Sequence, residues 1–257
     1  MSDPAMKLVK MTLHQTPYEI RQYWRSPPNA VFAMALPIIF LLLLGSLLAT
    51  MPIQVEGITR YDQYFVPAII AFGLIGTTFT NLAMTLSIRR ESGLLHRLRT
   101  TPLPASALLA ALIINSLLVS ICLVVIMGLL GVMLFHVAMP RHPLSLLAVL
   151  GVAWICFCAM GAAMATVIPS SEAAPGVVNA VFLPVAVASG AFFPISGSSW
   201  LGTVMVWLPV RPFVQLCISC FSASSTPSLA PLLVTGIWGI ACFALAVRFF
   251  RWSPKRN

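Results

Sequence analysis

Residues 100–140 read TTPLPASALLAALIINSLLVSICLVVIMGLLGVMLFHVAMP, with no Asp, Glu, Lys or Arg between Arg99 and Arg141. About 20 apolar residues suffice to cross the hydrocarbon core of a bilayer as a helix. Lipid offers no hydrogen-bonding partner, so such a segment satisfies its backbone amides by coiling. Working outward, the pattern recurs between Arg25 and Glu56, Asp62 and Arg89, Arg141 and Glu172, Glu172 and Arg211, and Arg211 and Arg248. Six uncharged stretches, each of at least 26 residues, predict six membrane spans.

Composition points the same way. The chain is 59% hydrophobic and 8% charged, against roughly 25% charged in a soluble domain. A soluble protein of 257 residues has room to bury only one or two such segments. The net charge of +9 is distributed by topology. Lys7, Lys10, Arg21 and Arg25 precede the first span, Arg89, Arg90, Arg97 and Arg99 separate the second and third, and Arg248, Arg251, Lys255 and Arg256 follow the sixth. Only Arg60, Arg141 and Arg211 fall on the other side. A twelve-to-three split places both termini in the cytoplasm. The charge then faces anionic lipid and not nucleic acid. No cleavable leader is expected, because Pro4, Pro17, Pro27 and Pro28 sit among scattered charges without a short apolar core.

The spans are predicted at 30–51, 64–88, 105–135, 144–168, 174–194 and 229–248, within a single transmembrane domain over 1–257. Outside loops are expected at 52–63 and 136–143, and a tight inside turn at 169–173. The segment 195–228 is apolar yet broken by Pro209, Pro212 and Pro227. With Trp200 and Trp207 suited to the headgroup level, it predicts short re-entrant or interfacial helices on the outer side. No internal repeat is visible, so two-fold symmetry in a working unit requires a second chain.

Two cytoplasmic segments are amphipathic. In 16–26, Thr16 and Glu19 have capping-box spacing and Pro17 suits a first helical position. Ile20, Tyr23 and Trp24 share one face, and Glu19, Arg21, Gln22 and Arg25 the other. This predicts a helix lying in the membrane plane. In 89–99, RRESGLLHRLR, the residues Leu94, Leu95 and Leu98 cluster on one face among Arg89, Arg90, Arg97 and Arg99.

The stretch RRESGLLHRLRTTPL resembles the cytoplasmic loop of type-2 ABC exporter permeases, where an acidic residue, a Gly and an Arg-Leu-Arg-x-Thr-Pro-Leu run recur. Ser189–Gln215, SGAFFPISGSSWLGTVMVWLPVRPFVQ, is similar to that family's passage from the fifth span into a re-entrant outer element. Arg90 departs from the pattern, standing where the family often has a second acid. The resemblance implies an all-α membrane protein: six transmembrane helices, an N-terminal interfacial helix, a cytoplasmic coupling helix at 89–99 and an outer re-entrant element at 195–228. It also implies a second permease chain, identical or related, and two ABC ATPase subunits that bind the ATP and Mg. The coupling element would comprise Arg89, Arg90, Glu91, Gly93, Leu94, Leu95, Arg97, Leu98 and Arg99. Its leucines would dock in a groove of the ATPase, and Thr16, Glu19, Ile20, Tyr23 and Trp24 would pack beside it. The expected setting is the inner membrane of a bacterium.

What the chain lacks bears on its energy source. None of its three lysines follows a glycine, so a phosphate-cradling G-x-x-x-x-G-K-[ST] loop is absent. No span carries a mid-membrane Asp, Glu, Lys or Arg of the kind ion-coupled carriers use as relays. A secondary carrier or channel remains the alternative from another class. His14, His96, His136 and His142 lie in loops or near span ends, which argues against a serine–histidine enzyme site. Cys217-x-x-Cys220 has no second pair or histidine at metal-ligand spacing, although an exterior position would let either cysteine form a disulfide.

Polar side chains within spans mark a candidate route: Thr77, Thr78, Thr80, Asn81 and Thr85 in the second span, and Asn179 and Ser189 in the fifth. The family resemblance also places these two spans at the dimer centre. Phe72, Phe79, Phe182, Phe192 and Phe193 would then give an aromatic path for a hydrophobic drug or lipid, with a lipid-linked polysaccharide as the alternative cargo. Gly161-x-x-x-Ala165 and Ala186-x-x-x-Gly190 permit close helix approach.

Overall fold

The computed structural model describes residues 4–25, 27–49, 51–55, 57–92, 105–195, 200–222 and 226–249. Within them the chain is almost wholly helical. Helix α1 runs Pro4–Arg25 and α2 Pro27–Leu48. A hairpin of β1 (Pro52–Val55) and β2 (Ile58–Arg60) follows. Then come α3 (Tyr61–Glu91), α4 (Ala105–Phe135), α5 (Pro143–Val167), α6 (Ala174–Ala188), α7 (Trp200–Met205), α8 (Val210–Phe221) and α9 (Leu229–Phe249).

Four helices among the described residues are long and apolar enough to cross a membrane: Tyr61–Glu91, Ser106–Phe135, Pro143–Val167 and Leu229–Phe249. The protein is therefore a multi-pass membrane protein. Shorter apolar helical stretches occupy Met34–Leu48 and Ala174–Ala188. The stretch expected as a fifth span over 174–194 is helical only as far as Ala188. Fifteen residues rise about 22 Å, short of the roughly 30 Å hydrocarbon core. Beyond it Gly190 takes φ +90°, the left-handed region where a side chain is strained, so the helix cannot run on.

Helix α3 is the axis of the fold. Its apolar window is 83% buried, against 22–39% for the other three long helices. It packs on α2, α4, α5 and α8, while α5 and α9 lie along each other. Leu233, Ile237, Ile240, Phe243 and Val247 of α9 remain exposed, an apolar face suited to lipid. A π-helical turn at Gly76–Thr80 interrupts α3. Within it the Thr77 hydroxyl donates to the Gly73 and Leu74 carbonyls and lies 2.9 Å from the Ser120 hydroxyl.

The expected plain loop at 52–63 is corrected at both ends. Its first part is an antiparallel hairpin pairing Val55 with Ile58, turned by Gly57 at φ 77°. Its last part already belongs to α3, where Asp62 pairs with Arg60 and accepts the Gln63 amide at 2.8 Å. At this same end the Tyr61 hydroxyl donates to the Phe192 carbonyl at 2.5 Å and the Tyr64 hydroxyl to the Gly190 carbonyl. The Arg141 and His142 amides donate to Cys220 O at 3.0 and 3.2 Å. The Trp238 indole donates to Trp207 O at 2.7 Å, about 13 Å along α9 from its start. The α7–α8 passage thus meets α9 part-way along its length at Trp207 and lies beside Arg141 and His142 at Cys220. Arg211 is buried within it, its guanidinium donating to the Ile195 carbonyl at 3.3 Å. Cys217 and Cys220 are buried free thiols.

Candidate functional site

The charged residues at the opposite end of the bundle converge on the last turn of α3. Arg89 is 8% exposed and Glu19 of α1 is 3% exposed. The guanidinium donates to Glu19 Oε1 at 2.9 Å and Oε2 at 2.5 Å, a two-pronged ion pair, and to Gln22 Oε1 at 3.2 Å. The Gln15 amide donates to the same carboxylate at 3.1 Å.

Arg90, 4% exposed, turns the other way. Its two terminal nitrogens donate to Ala165 O at 2.7 Å and Ile168 O at 2.5 Å. These carbonyls end α5, where the last turn of a helix lacks internal partners and favours a cation. The exposed Glu91 carboxylate accepts the Ser171 amide in the turn between α5 and α6. Three consecutive residues therefore bind three separate elements: α1, the end of α5 and the α5–α6 turn.

This corrects the expected boundary of the 89–99 element. Arg89, Arg90 and Glu91 belong to the helix of the second span, and the two arginines face inward. Gly93, Leu94, Leu95, Arg97, Leu98 and Arg99 lie outside the described residues. The capping box at Thr16 and Glu19 is also overturned. Helix α1 begins at Pro4, and Thr16 is in its interior, donating its hydroxyl to Thr12 O at 2.8 Å. Pro17 lies within the helix on an exposed face, where the carbonyl it leaves free is not enclosed by protein. The inward face is Thr12, Thr16, Glu19 and the half-buried Tyr23, whereas Ile20 is half-buried and Trp24 is 51% exposed. Polarity groups Glu19 with Arg21, Gln22 and Arg25 on one face, but polarity alone does not separate water from a buried counter-charge.

The aromatic residues come together in the middle of the bundle. Phe72 stacks on Phe182 with centroids 5.1 Å apart and meets Phe192 edge-on at 5.1 Å. Phe40 of α2 closes on Phe192 at 5.3 Å, and Phe79 lies 6.4 Å from Phe182. These rings fill a core within one chain. Sequence reading missed Phe40, which carried no signal beyond its place in an apolar run. Phe79 and Arg90 also line a cavity of about 620 Å³ with Met160, Met164 and Val181. Phe193 and Asn179 are exposed on the far side of α6. Thr77 and Thr78 are buried and return their hydroxyls to the backbone of α3. Asn81 and Thr85, half-buried, face a separate polar cavity beside Arg89.

The chain is similar to a protein described as a transport permease, ycf38, of Porphyra purpurea, with 35% identity over 86 residues. That match spans 32% of this chain and 28% of the relative's length. The family described as ABC-2 type transporter matches residues 16–221, from α1 through α8. On that match, which takes in the charged end and the aromatic core alike, the chain belongs to the ABC-2 type transporter family.

Proposed function

We propose that this permease is the membrane subunit of an ATP-driven exporter, working as a homodimer or with a related chain beside two ABC ATPase subunits. ATP and Mg are bound by those partners, and both termini of this chain face the cytoplasm of a bacterial cell. The cargo is a hydrophobic or amphipathic molecule, a drug or a lipid. Absence of fixed charge from the middle of the long apolar helices, whose charged residues lie near their ends, supports a cargo of low polarity.

The observation that carries the reading is the last turn of α3. Arg89, Arg90 and Glu91 tie it to α1, to the end of α5 and to the start of the α5–α6 turn. Residues 93–99, which include Leu94, Leu95 and Leu98, follow directly in the sequence. A push on that segment by a docked ATPase is then passed to three elements at once through charge-assisted hydrogen bonds. Arg90 is a positioning residue here, and it uses the fork geometry that lysine lacks.

The test is a tagged pull-down from the native membrane with intact-mass analysis of the complex. The expected result is a stoichiometric ATPase that is lost from the Leu94→Asp/Leu98→Asp variant while the variant still folds. A variant that retains its ATPase would overturn the docking assignment, and a chain that arrives alone would favour a carrier or channel.

A further inference from the structure

Beside the Glu19–Arg89 pair lies a cavity of about 250 Å³, walled by α1, α3 and α4. Unlike the apolar cavities between α5 and α9, it is lined by Gln22, Tyr23, Asn81, Thr85 and Asn115 as well as by the ion pair. Two of these groups have no hydrogen-bonding partner among the described residues: the Tyr23 hydroxyl and Asn115 Oδ1. Both atoms are buried, and Asn115 as a whole is only 5% exposed.

A buried polar atom without a partner is destabilising, and lipid hydrocarbon offers it none. Burial pushes the Tyr23 phenol up to about 12, so it stays protonated and is a donor at neutral pH. Asn115 Oδ1 is an acceptor. A head carrying several hydroxyls can accept from Tyr23 and donate to Asn115. The neighbouring ion pair is neutral as a unit, so the cavity gives no preference to a charged head. Its rim carries the exposed Ile88 and Gln22, an apolar and a polar side chain together. That is the setting of a lipid headgroup at the charged end of the bundle.

We infer that this cavity is a binding site for the neutral, hydroxyl-bearing headgroup of a membrane lipid, held by Tyr23 and Asn115 against the Glu19–Arg89 pair. The site joins α1 to α3 and α4 at the hub that positions the coupling segment. Its assignment stands on the cavity alone and does not depend on which cargo crosses or on which ATPase docks.

The test uses the full chain in detergent and follows thermal unfolding with three probes. These are monogalactosyldiacylglycerol, a phosphatidylcholine with the same acyl chains, and free galactose. The galactolipid is expected to raise Tm by several degrees, with little effect from the other two. Tyr23→Phe is expected to weaken the galactolipid response about five- to tenfold, the loss of roughly one hydrogen bond. Its unliganded Tm should not fall, because it removes an unpartnered polar atom. Asn115→Leu is expected to act the same way from the other wall. Equal stabilisation by phosphatidylcholine, or by galactose alone, would overturn the headgroup assignment. An undiminished galactolipid response in Tyr23→Phe and Asn115→Leu would overturn the site.

Discussion

Glu19 and Arg89 are 70 residues apart and meet in a buried, two-pronged contact. Removing one member leaves the other charged and enclosed, which costs about 3–5 kcal/mol, whereas replacing both leaves no such charge. Glu19→Gln and Arg89→Gln are each expected to lower thermal stability in detergent by that order. The double variant should unfold closer to the parent than either single one does, as a double-mutant cycle would record. A second residue-scale prediction concerns Gly161 of α5. A Cβ there would lie 2.7 Å from the Phe79 carbonyl oxygen and 3.2 Å from its Cα, both backbone atoms that cannot swing aside. Gly161→Ala is expected to cost about 1–3 kcal/mol. Gly151, where an added methyl would meet nothing within 4 Å, serves as the control, and Gly151→Ala should leave Tm unchanged or raise it.

At the scale of the element, the π turn in α3 decides how the helix can be edited. Such a turn takes up one extra residue while the helix on either side keeps its phase. Deleting Gly76, whose added Cβ would meet nothing within 4 Å, is expected to leave Arg89 facing Glu19. Glu19→Gln should then still destabilise the shortened protein. Inserting one alanine after Leu82, below the turn, rotates the rest of the helix as far as Glu91 out of register by about 100° and advances the charged turn by about 1.5 Å. Arg89, Arg90 and Glu91 would lose their partners together, and Glu19→Gln should add little further penalty. Comparing the two Tm differences checks the prediction. The N-terminal helix teaches a related lesson. Thr16, Pro17 and Glu19 carry a good start signal, yet α1 already runs for twelve residues before Thr16, from Pro4 to Gln15. A capping motif states a local preference of about one kcal/mol. Here Thr16 and Glu19 are instead engaged with Thr12, Gln15 and Arg89.

For the whole molecule, the two ends of the bundle differ in chemistry. One holds Arg60, Asp62, Tyr61 and Tyr64 beside the hairpin, and the other holds Glu19, Arg89, Arg90 and Glu91. In a cysteine-free background, Thr59→Cys is expected to react with a membrane-impermeant maleimide from outside intact cells. Ser92→Cys should react only once the membrane is opened, and the reverse pattern would invert the topology. The existence of long membrane helices was legible because it depends on composition: a run such as Ala105–Phe135 without charge has no other stable state in lipid. The helical but shortened α6 was only partly legible, since Ala191, Phe192 and Phe193 are as apolar as the helix before them. Its end follows from Gly190 and from the two tyrosines that hold the turn. Charge spacing by itself determined that the chain coils through a bilayer, because the cost of placing charge in hydrocarbon acts on each residue separately. Only the tertiary structure decided that Glu19 meets Arg89, that Arg90 caps α5 and that Phe72 and Phe182 stack. Those are pair interactions between distant residues, and no property of either partner alone specifies the other.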